Sequence, residues 1–139
     1  MITIRLIPKE NLEIIIPFLE ELNPNIGAKL LSSRLSEMIA QGYECIGVYN
    51  NDELIGISGL WFLTKYYVGK HVEPDNVFIL PEYQGKGIGE LMMNWIFDYA
   101  KSKGCVASEL NCYVGNKNAH RFWENQGYKK IAYHFQKEL

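Results

Sequence analysis

Of all segments in the chain, Pro81-Glu82-Tyr83-Gln84-Gly85-Lys86-Gly87-Ile88-Gly89 has the most chemical potential. Glycine lets the backbone take positive φ and approach a ligand closely, so several N–H groups can converge on one concavity. A helix starting there would add partial positive charge from its N-terminus, and Lys86 would add a full charge. That is chemistry for holding phosphate. Two other phosphate loops do not fit. A P-loop needs Gly-Lys followed by Ser or Thr, but Gly87 follows Lys86. A dinucleotide fingerprint needs Gly or Ala three positions after its second glycine, where Glu90 stands. His71, His120 and His134 have no metal-ligand spacing among themselves, so no metal is expected. Cys45, Cys105 and Cys112 contain no CxxC pair and read as buried free thiols.

The loop is useful only if a strand delivers it and a helix leaves it. Ile88, Leu91, Met92, Trp95, Ile96, Tyr99 and Ala100 recur at i, i+3, i+4, i+7, which predicts a helix ending at Lys103-Gly104. Ahead of the loop, residues 70–80 read as a strand, with Pro74 expected to displace its early part from regular pairing. Upstream, alternation predicts a strand over Ile2–Leu6. Helical spacing follows through Leu12, Ile15, Ile16 and Leu19, then through Leu31, Leu35, Met38 and Ile39. Residues 43–49 and 54–64 flank Asn50-Asn51-Asp52-Glu53 as a hairpin. Downstream, a strand is expected over 106–114, a short helix over 118–126 and a last strand over 128–136. Helices interleaved with strands imply an α/β (α+β) fold, a mixed sheet covered by helices.

A chain of 139 residues fits one domain, residues 1–139, with no linker, repeat or low-complexity tract. Hydrophobic residues make up 47% and charged residues 22%. No apolar run approaches the roughly 20 residues of a membrane span. A net charge of −2 offers no electrostatic footprint for nucleic acid or an anionic membrane. The N-terminus lacks a basic region followed by an apolar stretch, so a cytoplasmic location is expected.

Strand, loop and helix together resemble the GNAT acetyltransferases. Their acetyl-CoA loop reads Gln or Arg, two residues, Gly, one residue, Gly or Ala, which Gln84, Gly87 and Gly89 match. The family's strand ends in an apolar residue, one residue, then Pro, as in Ile79-Leu80-Pro81. A second signature is met by Asn116, Ala119, Phe122, Trp123, Gly127 and Tyr128. The resemblance covers nearly the whole chain. It implies the GNAT acyl-CoA N-acyltransferase fold, with a mixed central sheet and about four flanking helices.

The resemblance further implies acetyl-CoA as cosubstrate, with no metal. The backbone of Phe78, Ile79 and Leu80 would pair with the pantetheine arm. Amides of Gln84, Gly85, Lys86, Gly87, Ile88 and Gly89 would hold the pyrophosphate. Asn116, with Ala119 and Trp123 on its helix, would line the pantetheine. The reaction implied is direct attack of an amine on the thioester. An alkylammonium is neutral only to the order of one part in a thousand at pH 7, so a base helps. Glu73 and Asp75 share a strand face if alternation holds, and either would reach the amine through water. The oxyanion needs an N–H donor, Ile79 or Leu80. The family's general-acid tyrosine falls on Trp123, whose indole is no such acid. Tyr128, Tyr113 and Tyr83 are substitutes, and an unassisted thiolate is a tolerable leaving group. His120, Trp61 and Tyr66-Tyr67 are candidates for the acceptor mouth.

The C-terminal residues Ala119-His120-Arg121-Phe122 and Tyr133-His134-Phe135 look like the small-amine branch, so the expected partner is a small-molecule amine. The absence of an acidic cluster in the sequence argues against a polycationic acceptor. Protein or peptide acetylation, and a GNAT-fold protein that binds acyl-CoA without transfer, are the alternatives. The resemblance also permits a homodimer through the C-terminal region.

Overall fold

Alternation in Ile2–Leu6 gives β1, after which a 3-10 segment over Lys9–Ile15 runs into α1, Ile16–Leu22. The computed structural model describes all 139 residues. Leu12, Ile15 and Leu19 are buried, as their helical spacing requires. α2 is Ala28–Ala40, and its buried residues are Leu31 and Leu35. β2 (Glu44–Asn50) and β3 (Glu53–Lys65) form the expected hairpin, turning at Asn51, which tolerates φ 55°. β4 (Gly69–Ile79) delivers the glycine loop to α3, Ile88–Ser102. β5 is Ala107–Ser108, and α4 is Lys117–Asn125. The sheet runs β1-β2-β3-β4-β5, antiparallel through β4, with β5 parallel to β4.

Two hydrophobic clusters cover the two sheet faces. Leu12, Ile15, Leu19, Leu31 and Leu35 pack with Tyr43, Cys45 and Ile57 on the α1/α2 face. Ile88, Met92, Met93, Ile96 and Ala100 of α3 pack with Ile46, Val48, Leu60 and Val72 on the other. Met93 is buried and Leu91 half-exposed, because the buried stripe of α3 is rotated by about one residue from the expected one.

Within β4 the decisive feature is a bulge. Gly59 pairs with Asp75 and Ile57 with Phe78, so Asn76 and Val77 stand opposite Ser58 alone. Asn76 takes φ 54°, and its side-chain oxygen accepts a 3.1 Å hydrogen bond from the buried Tyr43 hydroxyl. The extra residue shifts the alternation. Asp75 bonds Trp61 on the α1/α2 face, and Phe78 also packs on that face, 5.7 Å edge-on from Phe18. Val77 and Ile79 pack on the α3 face.

Three expectations are corrected. Pro74 does not displace early β4, which pairs regularly from Gly69 to Asp75; the irregularity comes after it. Carbonyls of Lys70 and Val72 accept from Val106 and Glu109, so backbone alternation turns the Pro74 nitrogen to the β5 side, where the ladder has ended. No β3 bond is lost. The strand expected over 106–114 is reduced to Ala107–Ser108, because β5 departs from β4 after Glu109. The last strand over 128–136 does not form. Residues 129–139 are exposed and make no backbone hydrogen bond. Alternation marks a segment able to pair, while pairing needs a free edge beside it.

A Cβ at Gly59 would lie 2.3 Å from the Tyr43 hydroxyl. Tyr43 is held by Asn76 and packs on Trp61 at 5.1 Å, so it cannot retreat. Gly59→Ala is expected to lower stability by about 2 kcal/mol in urea unfolding, whereas Gly115→Ala, with open space around it, stays near wild type.

Candidate active site

Beyond Glu109 no backbone bond joins the chain after β5 to β4, and the two segments part. A cleft of about 150 Å³ opens there, lined by Trp61, Glu73, Pro74, Asp75 and Asn111. A second hollow, of about 380 Å³, adjoins it and shares Trp61 and Glu73 with Gln41, Phe62 and Leu63. The two carboxylates expected to share a face therefore do so. The two differ in freedom. Asp75 accepts from the Asn76 amide (2.9 Å) at one oxygen and from the Trp61 indole N–H (3.1 Å) at the other. Glu73 has Oε2 against His71 Nε2 (2.8 Å) and Lys65 Nζ (3.5 Å), with no protein partner for Oε1.

Parallel pairing of β4 with β5 brings Glu109 into the same group. Its Oε1 lies 3.8 Å from His71 Nε2 and accepts 2.7 Å from the Tyr67 hydroxyl. Ligand-type atoms of His71, Glu73 and Glu109 thus lie within 4.8 Å of one another. Spacing among the histidines did not reveal this grouping, because two strands supply it. Lys65 and Tyr67 already engage its carboxylates. The acidic grouping of Glu73, Asp75 and Glu109 also removes the argument made against cationic acceptors.

On the other side of β4 lies the glycine loop. Leu80 donates its N–H to the Ile55 carbonyl on β3 (2.9 Å), so it is not free to meet an oxyanion. Alternation turns Ile79 to the opposite edge, where the Gln84 side-chain amide donates to the Ile79 carbonyl (2.8 Å). The Ile79 N–H is the donor left facing the gap. Phe78, two residues before Leu80 and paired with Ile57, also turns its backbone to β3, against the expectation that it meets the pantetheine arm, and its ring lies on the α1 side. A single 3-10 turn, Pro81–Tyr83, then leads into Gly85 and Gly87, at φ 73° and 78°. Gly87 is the N-cap of α3, without any side-chain cap. The first bond of the helix runs from Leu91 N to Gly87 O, so the amides of Ile88, Gly89 and Glu90 have no helical acceptor. Added Cβ atoms at Gly85 and Gly87 would meet nothing within 4 Å. Backbone donors and an uncapped helix end facing open space suit a pyrophosphate. Lys86 lies with Nζ 5.6 Å from the Tyr83 ring centroid. The Ile88 side chain is buried in the core and offers only its amide. Gly89 serves packing, since a Cβ there would meet Phe122 at 2.9 Å.

In α4, the Asn116 side chain accepts from the Ala119 amide (3.1 Å) as N-cap. Its amide nitrogen remains available. Trp123 packs edge-on against Phe122 and Tyr128, with ring centroids 4.9 and 5.6 Å away. The Tyr128 hydroxyl is 2.6 Å from Ser108 Oγ, and burial pushes its pKa up to about 12, against a smaller lowering by Ser108. Tyr128 packs with the α3-side cluster, on the opposite face from Glu73 and Asp75. Tyr113 is exposed, and Tyr83 is occupied with Asn50 and Glu53. His120 Nε2 contacts the Tyr113 carbonyl at 2.8 Å, and Tyr66 is fully exposed.

Comparison with known proteins matches residues 12–128 to the acetyltransferase (GNAT) family. The chain belongs to that family. It is 28% identical over 90 residues to an aminoalkylphosphonate N-acetyltransferase of Salmonella typhimurium, covering 64% of this chain and 58% of that protein. It is 23% identical over 95 residues to a thialysine N-epsilon-acetyltransferase of Mus musculus, covering 68% and 56%. The chain thus spans less than two thirds of the length of these relatives. Among solved structures, an aminoglycoside N-acetyltransferase in complex with CoA superposes with TM-score 0.85 at 15% identity, covering 100% of this chain and 95% of that one. A glucosamine-6-phosphate N-acetyltransferase of Arabidopsis thaliana gives 0.73 at 20% identity, covering 99% and 98%. These two likenesses concern the fold. No helix is long and apolar enough to cross a membrane.

The raised pKa of Tyr128 gives a signed prediction. Its folded value lies above the ordinary 10.0, so the stability it contributes is whole below about pH 10 and lost as pH rises through about 12. Spectrophotometric titration at 295 nm is expected to leave Tyr128, and the more deeply buried Tyr43, protonated at pH 11. Tyr128→Phe should therefore leave the tyrosinate amplitude below pH 11 unchanged.

Proposed function

We propose that the protein is an N-acetyltransferase that moves acetyl from acetyl-CoA to the primary amine of a small molecule by direct attack. The observation that carries this reading is the parting of β4 from β5, with an uncapped, glycine-rich helix start on one face and an open carboxylate on the other. Acetyl-CoA bound at the loop supplies an activated thioester carbonyl. The amides from Gly85 to Gly89 hold its pyrophosphate, the β4 edge at Ile79 aligns the pantetheine arm, and the free Asn116 amide nitrogen bonds that arm from α4. Glu73, through Oε1 or one water, takes the ammonium proton of the acceptor. The Ile79 N–H faces the oxygen on which charge develops. As the new C–N bond forms and the C–S bond breaks, Tyr128, held protonated, donates a hydrogen bond to the leaving sulfur. Asp75 orients Trp61 as a wall of the acceptor cleft.

The relatives' names support a small amine as the class of acceptor, aminoalkylphosphonate in one and thialysine in another. A second reading, binding without transfer, draws on Trp123 at the position of the family's usual tyrosine.

Calorimetric titration of acetyl-CoA and CoA, followed by thiol-release assay over a panel of amines and lysine peptides, tests both. Saturable binding is expected, weakened at least about 100-fold by Gly87→Glu, since φ 78° disfavours any side chain and the carboxylate repels phosphate. Thiol release with a small amine is expected as well. Binding without release for any amine would favour the second reading. Folded protein that fails to bind at millimolar acetyl-CoA would overturn both.

A further inference from the structure

Resting on the reading of the cleft as the acceptor site, we infer that His71 is a positioning residue for proton removal: it clamps one oxygen of Glu73 so that the other stands open to the acceptor. The His71 side chain is fully buried. Its Nδ1 lies 3.1 Å from the Gly69 carbonyl oxygen, which can only accept, so Nδ1 carries hydrogen. Its Nε2 lies 2.8 Å from Glu73 Oε2. An imidazole lone pair and a carboxylate oxygen repel at that distance, so a proton lies between them and the contact is a charge-assisted hydrogen bond.

The groups facing this pair come from every neighbouring segment. Lys65 at the end of β3 reaches the same Oε2, Tyr67 in the following turn donates to Glu109, and Glu109 stands just past β5. With the shared proton counted, His71 and Lys65 balance Glu73 and Glu109. Every anchor falls on Oε2, and Oε1 has none, although Glu73 lines both hollows. A glutamate at a strand surface ordinarily exchanges among rotamers; this one is held with one oxygen presented, which shortens the search for a reactive geometry. Before attack the ammonium gives one proton to Oε1, which passes it to solvent and leaves a neutral amine. As that amine's C–N bond forms and the C–S bond breaks, the nitrogen's second proton goes to Oε1, the C–S electron pair leaves on the thiolate sulfur, and Oε1 returns this proton to solvent after the product departs. The His71 proton stays between Nε2 and Oε2 throughout.

The test compares wild type, Glu73→Gln, His71→Leu, His71→Gln and the Glu73→Gln/His71→Leu double variant, each checked for folding by thermal melt and for CoA affinity by calorimetry. Steady-state thiol release is followed across pH with the best amine of the panel. Glu73→Gln and His71→Leu should each lower kcat about 10- to 100-fold, with the KM for acetyl-CoA unchanged. The double variant should fall no further than Glu73→Gln alone, because His71 acts only through Glu73. His71→Gln, which keeps an N–H donor near the Nε2 position, should recover most of the loss. Wild-type kcat in His71→Leu, losses that multiply in the double variant, or no recovery in a folded His71→Gln would each overturn the proposal. If His71→Leu does not fold, the kcat and pH profile of His71→Gln against Glu73→Gln decide the same question. A wild type that binds acetyl-CoA yet releases thiol with no amine would overturn the transferase reading itself, a result distinct from any variant's.

Discussion

Tyr43 reaching Asn76 across the end of β4 is the contact on which the arrangement of the site depends. The hydrogen bond holds an asparagine in left-handed backbone conformation opposite a single residue of β3, and so fixes the bulge. Strand alternation has a period of two, so one inserted residue exchanges the faces of everything after it. Without it, Ile79 would point to the same side as Glu73 and Asp75. With it, β4 shows carboxylates to the α1/α2 side and, a few residues later, an edge that runs into the glycine loop under α3. Gly59 is part of this device, since only a residue without Cβ lets the Tyr43 ring lie across the strand.

The proposed reaction, between a large nucleotide thioester and a small amine, gains from keeping the two in separate grooves that meet at one point. On that reading the parting of β4 and β5 provides the meeting point. One groove is built from backbone donors, which recognise phosphate and amide without regard to side chain. The other is built from side chains, Trp61, Glu73, Asp75 and Asn111, which are free to vary with the acceptor. The division explains why the loop is easily read and the acceptor is not: backbone recognition demands glycines at set spacing, whereas a cleft of mixed side chains carries no fixed spacing.

Local features were legible. The loop at residues 84–89 and the periodicity of the helix beginning at Ile88 arise within a few residues of sequence, and each stands where the pattern put it, whereas the Asn116 cap, equally local, is added by the structure. Features that depend on pairing between segments distant in sequence were not. Residues 106–114 and 128–136 alternate like strands, yet only Ala107–Ser108 finds a partner. Nothing near Glu109 in sequence relates it to His71 and Glu73; the relation is created by the parallel register His71↔Ala107. Pro74 was read correctly as unable to donate but was assigned the wrong consequence, because which neighbour its nitrogen faces is a property of the sheet.

That proline has a further effect. An edge that opens within a sheet is exposed to the same hazard as any outer edge: a loose segment of another molecule, or the chain's own exposed tail, can lay itself along it and zip it shut. Pro74 lies where the gap begins and presents no donor to such an intruder, while Asn76 breaks the repeat two residues later. The opening therefore resists stray strands, while the thioester arm of the proposed cosubstrate, which needs only scattered hydrogen bonds, would use an edge that a second polypeptide cannot. On that reading, protection against aggregation and selectivity for the guest come from the same missing hydrogen.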